Sequence, residues 1–176
     1  MSQFVVLRPY SNFLRTHKPS GQRLFRMPAK FPTVMGLISW LIKDFKESSA
    51  RNCRLCAEQG DVDAQHALGL FYEKGTGVPQ VYSEACKWYY KAAAQGNVVS
   101  QLYLGALVAA GRGVPFDYVE GYKWLNLAAN AKPGKDITIR PLAISNRNKL
   151  AELMTPSQID EGERLSREFV PTKSNR

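Results

Sequence analysis

This sequence predicts an all-α fold, a short α/α superhelical solenoid of antiparallel helix pairs, and three observations lead to it. First, a stretch occurs twice: residues 64–93 (AQHALGLFYEKGTGVPQVYSEACKWYYKAA) and 100–129 (SQLYLGALVAAGRGVPFDYVEGYKWLNLAA) match on a shift of 36, with thirteen positions identical. A fixed period of this length is the mark of stacked repeats, in which each unit covers the apolar face of its neighbour. Second, apolar residues recur at helical spacing within each copy: Ala85, Trp88, Tyr89 and Ala92, then Gly121, Trp124, Leu125 and Ala128. Third, Gly75 and Gly111, followed by Pro79 and Pro115, stand where a helix must stop and the chain must turn.

The elements follow in order. Residues 1–30 mix Pro9, Pro19, Gly21 and Pro28 with scattered aromatics and no sustained period, so they read as a basic, disordered arm, a targeting segment or the product of a start assigned too far upstream. Residues 31–60 read as a short apolar helix, 34–45, and then the second helix of a half repeat, 46–59, because Cys56-Ala57-Glu58-Gln59-Gly60 falls on Ala92-Ala93-Ala94-Gln95-Gly96. The full repeats occupy 61–96 and 97–132. Their first helices run over 62–74 and 98–110, with Leu68 and Leu104 on the apolar face and Gly69 and Gly105 permitting close approach of a partner helix. Their second helices begin at Tyr82 and Tyr118; Asp117 and Glu120 form a capping box, whereas Val81 leaves the first copy without a cap.

Residues 133–171 read as a degenerate helix pair, as an end repeat with one uncovered face should. A loop containing Pro133 and Gly134 precedes a helix over 141–153, and Thr155, Pro156 and Gln158 cap a last helix carrying Ile159, Leu165 and Phe169. Residues 172–176 form a tail.

The 176 residues carry a formal charge of +9, and 44% are apolar, which suits one domain or a short array with a core. The charge is uneven: residues 1–30 hold six Lys or Arg and no acid, while the repeats are nearly neutral. The arm therefore suits an acidic partner, a membrane surface or nucleic acid. The longest apolar run, 31–42, falls short of the roughly 20 residues a spanning helix needs. Three cysteines are too few for a disulfide scaffold. The compartment stays open: a cytoplasmic site is slightly favoured, with export or organellar targeting by residues 1–50 as the alternative.

The spacing Leu68-Gly69-x-x-Tyr72-x-x-Gly75-x-Gly77-Val78, then Ala85-x-x-Trp88-Tyr89-x-x-Ala92-Ala93-x-x-Gly96, resembles the Sel1-like repeat family, relatives of the tetratricopeptide repeats. The second copy keeps Leu104-Gly105, Gly111-x-Gly113-Val114, Trp124 and Ala128-Ala129, and residues 154–169 are similar to the closing helix of many bacterial members. Val81, Val108 and Gly121 depart from the usual Asp, Tyr and Ala. The resemblance implies a right-handed superhelix serving as a noncatalytic adaptor for protein complexes. A cysteine-rich subgroup that binds or hydrolyses β-lactams, with cross-linked helices, is the enzymatic alternative; three cysteines cannot supply one bridge per repeat.

Candidate chemistry is sparse, and no catalytic, cofactor or metal residue is expected. Cys53-x-x-Cys56 has the spacing of a zinc or redox pair but no second pair, and Cys56 takes the place of Ala92 and Ala128, as a small thiol filling a helix contact would. A bridge from either to Cys86 stays open for an exported protein. Gly75-Thr76-Gly77 and Gly111-Arg112-Gly113 are repeated turns, lacking the strand and the GK[ST] ending of a phosphate loop. His66, on the first helix, has no carboxylate or Cys at ligand spacing. Phe71, Tyr72 and Tyr103 suit the core better than a groove. The expected partner is another protein rather than a small molecule. Its groove is expected on the first helices, at the positions that differ between copies: His66, Leu70 and Glu73, with Leu102, Ala106 and Ala109 one repeat on.

Overall fold

Positions related by the 36-residue shift make the same backbone contacts, and this orders the whole architecture. The computed structural model describes residues 34–132 and 138–172, so the arm over 1–30, the loop at Pro133 and Gly134 and the last four residues lie outside the described residues. The chain divides into two compact units, Met1–Leu37 and Ile38–Arg176, and all but the first turn of the described structure belongs to the second. Seven helices make up the described residues: α1 (Val34–Glu58), α2 (Val62–Lys74), α3 (Tyr82–Ala94), α4 (Val98–Ala109), α5 (Tyr118–Asn130), α6 (Ile139–Ala151) and α7 (Pro156–Glu168). Consecutive helices pack on one another from α2 to α6, so each pair is an antiparallel hairpin and α4 is held between α3 and α5.

Two expected helices, 34–45 and 46–59, are one 25-residue helix, α1. Nothing between Phe45 and Lys46 interrupts it, neither a glycine nor a proline nor a side-chain cap, so the helix propagates. Its C-terminal half makes the contact that the second helix of the first full copy makes one period on. The Gln65 amide donates to the Ala57 carbonyl at 3.1 Å, and one period on the Gln101 amide donates to the Ala93 carbonyl at 3.3 Å. Arg140 Nε continues the series on Ala129, again 36 residues further, at 3.1 Å.

The turns between paired helices rest on the preceding second helix. Gly77 (φ 71°) lies on the backbone of Lys46 and Gly113 (φ 80°) on that of Tyr82, and a Cβ at either would collide with those main chains. Both the left-handed backbone and the missing side chain are needed there. Within each pair, a Cβ on Gly69 would stand 2.6 Å from the Tyr89 ring, and one on Gly105 would stand 2.8 Å from Leu125. These glycines set the spacing of α2 on α3 and of α4 on α5.

The caps decide where the helices begin. Asp61 and Asn97 accept from the Ala64 and Ser100 amides at 2.7 and 2.8 Å, and Thr155 with Gln158 forms a full capping box on α7. Val81 caps nothing. The box expected in the second copy is half made: Asp117 accepts from the Glu120 amide at 3.0 Å, but the Glu120 carboxylate turns to Lys123 and to Trp124 Nε1 instead. A buried indole N–H is the stronger claimant on that carboxylate.

The core has two parts. Leu68, Tyr89 and Leu104, with Ala57 and Trp124, are buried between helices α1 to α5; Leu102, Leu125, Ala128, Ala143 and Leu150 are buried between α4, α5 and α6. The C-terminal helices depart from the expected pair, since α6 and α7 both pack on α5, and α5 rather than α6 is the main partner of α7. Gly162, against the Tyr122 ring, and Ser166, which accepts from the Asn126 amide at 2.7 Å, fix it there.

Candidate functional site

Two surfaces concentrate polar and aromatic groups, one at α2 and α4 and one between α3 and α5. On the first, His66 and Glu73 meet around Tyr89. The Tyr89 hydroxyl donates to Glu73 at 2.6 Å, its ring stacks on Tyr103 with centroids 5.4 Å apart, and His66 sits within 6 Å of both rings, at 5.7 and 5.9 Å. His66 Nδ1 is 2.9 Å from the Ser100 hydroxyl. Burial holds the His66 pKa below its ordinary value, outweighing the opposite pull of Asp63 and Glu73. Burial and the bond to Glu73 push the Tyr89 phenol far up, so it stays protonated and donates. The cluster's polar groups are thus turned on each other.

Among the residues expected to form a groove on the first helices, Leu70 and Ala106 are half-buried, and Leu70 packs on the first core. Leu102 is only 3% exposed, inside the second core, so it offers no face to a partner. Ala109 is also turned inward, against Gly121. The reason is that α4 is covered on both sides, by α3 and by α5 with α6, whereas the expectation treated it as a helix with an open flank. Tyr72 is core, as expected, and Phe71 and Tyr103 are half-buried against it.

The second surface is a groove of about 820 Å³ between α3 and α5. Leu104 and Val108 of α4 form its floor; Trp88 and Tyr90 of α3 and Trp124 of α5 line its walls; Val114 and Pro115 of the turn close one end. Its rim is charged in the same pattern in both copies. Glu84 pairs with Lys87 at 2.6 Å and Glu120 with Lys123 at 3.0 Å. Lys91 lies over the Trp88 ring at 4.0 Å and Lys123 over the Trp124 ring at 4.4 Å. Among the described residues, Lys91 has a ring beneath it and no carboxylate beside it. Tyr90 is 54% exposed and meets Trp124 edge-on. Sequence reasoning passed over Tyr90 and Lys91. The signal was present, because neither falls on the stripe of residues 85, 88, 89 and 92.

The C-terminal segment reaches the helices that build this groove. Phe169 packs edge-on against Trp124 at 5.4 Å, and the Thr172 amide donates to the Ala94 carbonyl at 2.8 Å. That carbonyl is one of the unpaired acceptors at the end of α3, so the tail supplies a donor that the helix lacks.

The cysteines are all free. Cys53 donates to the Ala64 carbonyl at 3.1 Å, and Cys86 is buried with its pKa pushed up to about 11, first by burial and then by Glu73. Cys56 is exposed, contrary to the expectation that it fills a helix contact. In the full copies the helix pair encloses that position; α1 has no first helix of its own among the described residues, and its neighbour Ala57 turns into the core instead. Among the described residues no three His, Cys, Asp or Glu side chains come together as a metal site.

Helix pairs repeated at a fixed period and packed in sequence define an α/α repeat protein. The family model described as the Sel1 repeat matches residues 62–97 and 98–133, the two copies. Among solved structures, the chain is similar to a protective antigen of uropathogenic Escherichia coli that displays an SLR fold, with 28% identity and a TM-score of 0.64 over 73% of this chain and 26% of that one. It is also similar to a Sel1 repeat protein from Oxalobacter formigenes, with 28% identity and a TM-score of 0.49 over 74% of this chain and 60% of that one. The chain thus spans about a quarter of the first protein and three fifths of the second. No curated protein matches it.

Proposed function

We propose that this chain is a noncatalytic protein-binding scaffold, and that the groove between α3 and α5 receives a segment of another protein. The single observation that carries this reading is the groove itself. Two successive repeats build it, its walls are aromatic, and its rim holds an exposed Tyr90 and a Lys91 with no carboxylate beside it among the described residues. Exposed aromatic and cationic groups around an apolar trough are what protein interfaces concentrate. The Sel1 repeat fold, generally used for protein–protein interaction, supports the same reading. The occupant that fits is a peptide segment with a bulky apolar side chain for the trough and a carboxylate for Lys91.

The test is capture of partners from a lysate by the full chain, its Tyr90→Ala/Lys91→Glu variant, and a control variant at the α2 surface, Leu70→Ala. A protein retained by the parent and the control but lost by the groove variant supports the reading. Retention by all three, or loss with the control alone, overturns it in favour of another face.

A further inference from the structure

The groove between α3 and α5 has a counterpart one period earlier. A cleft of about 570 Å³ lies between α1 and the turn that joins α2 to α3. Four of its lining positions, Glu47, Gly77, Val78 and Pro79, become Ser83, Gly113, Val114 and Pro115 of the groove on the shift of 36. The match is physical as well as numerical. Gly77 rests on the Lys46 backbone as Gly113 rests on that of Tyr82. Val78 and Val114 both pack on the first core, and Pro79 and Pro115 both stand exposed beside them. Ile42 of α1, 50% exposed, adds an apolar wall to the cleft. The two depressions are also close. Pro79 lines one and Ser83 the other, so only the start of α3 separates them, and four residues of chain reach at most about 14 Å.

Charge selects the occupant. On this part of α1 the charges cancel in sum, Lys43 and Lys46 against Asp44 and Glu47, and Lys43 pairs with Glu47 at 3.9 Å. Lys46 lines the cleft, exposed and in no ion pair among the described residues, as Lys91 does in the groove. Each depression thus joins apolar walls to one local cation, which matches a peptide carrying apolar side chains and carboxylates better than a polyanion. The chain's own N-terminal sequence has no carboxylate for either lysine, since residues 1–30 contain no acid. Two copies, each at +9, repel one another.

Resting on the reading that the α3–α5 groove receives a peptide, we propose that the cleft beside α1 is a second subsite for the same occupant. That occupant is an extended acidic segment with one bulky apolar residue in each depression, about four positions apart, and a carboxylate at Lys46 and at Lys91. Joining the two anchors makes the second contact intramolecular, so the segment binds more tightly than either half.

The experiment pans a random peptide library displayed on phage against the full chain. Selected peptides are then synthesised and titrated by fluorescence anisotropy against the parent, Tyr90→Ala/Lys91→Glu and Ile42→Ser/Lys46→Glu, with circular dichroism melts to establish that both variants fold. The peptides are expected to carry two bulky apolar residues with Asp or Glu nearby, and to bind each variant at least about tenfold more weakly. Half of such a peptide, holding one anchor, should respond to one variant only. Ile42→Ser, which alters no charge, is a milder probe of the same cleft and should retain part of the loss. Peptides weakened by the groove variant but not by either α1 variant leave the groove standing and overturn the second subsite. Peptides indifferent to the groove variant, or no enrichment at all, overturn the groove and the subsite with it. Selected peptides that are basic, or a dimer in light scattering that the α1 variant abolishes, also overturn the proposal.

Discussion

Val81 and Asp117 occupy the same place in their copies and have nearly the same backbone, φ −142°, ψ 101° against φ −148°, ψ 111°. Only the second has a side chain that can take the amide three residues on. Val81→Asp should therefore gain about 1 kcal/mol from the new cap, reduced by the apolar contact Val81 now makes with the first core. A rise in Tm of roughly 2–4 °C checks it, and no rise would mean the cap geometry is not reached. His66 makes a second prediction. Its folded pKa lies below its unfolded one, so the unfolded chain takes up the proton first as pH falls. Stability from this group is present above the unfolded value of about 6.5 and declines as pH falls toward the lower folded value. The melting temperature should drop between neutral pH and about 5.5, and His66→Gln should flatten that drop.

Among the elements, the turns carry the strictest demand. Gly60 and Gly113 both have positive φ, at 95° and 80°, but nothing lies within 4 Å of a Cβ built on Gly60, whereas the Tyr82 main chain occupies that space at Gly113. Gly60→Ala should cost about 1 kcal/mol of backbone strain, and Gly113→Ala that amount plus a clash, about 3 kcal/mol together. Urea unfolding of the two variants separates strain from collision; equal losses would remove the claim that the turn rests on α3. Much of this was legible beforehand. The glycines recur at a fixed period, as do the Trp and Ala positions that prove buried, and Thr155 with Gln158 announced the cap of α7. The merging of 34–45 with 46–59 was not legible, because the repeat alignment sets 46–59 apart as its own helix, although no residue there stops a helix. Nor was the exposure of Cys56 legible, since the repeat alignment carries a residue's position but not the helix that encloses it.

For the whole molecule, the sequence announced the solenoid and said little of which face stays open. Variation between copies pointed to α2 and α4, yet Leu102 is buried in the second core, where no partner can reach it. Burial depends on neighbours distant in the chain, and these were invisible to a comparison of two copies. The return of the C-terminal segment is the clearest case. Phe169→Ala removes a ring resting on Trp124 and should cost about 2 kcal/mol. A red shift of the tryptophan emission should accompany the loss of stability, and unchanged emission would place Phe169 off the indole.

The bond from Thr172 to Ala94 joins residues 78 apart, in an assembly whose other contacts run mostly from one helix to the next. On a ribosome, α2 to α5 can assemble as they emerge, but this latch must wait until residue 172 has cleared the exit tunnel. Until then the end of α3 keeps a bare carbonyl and Trp124 lacks its ring, a window in which the nascent chain is most open to chaperones.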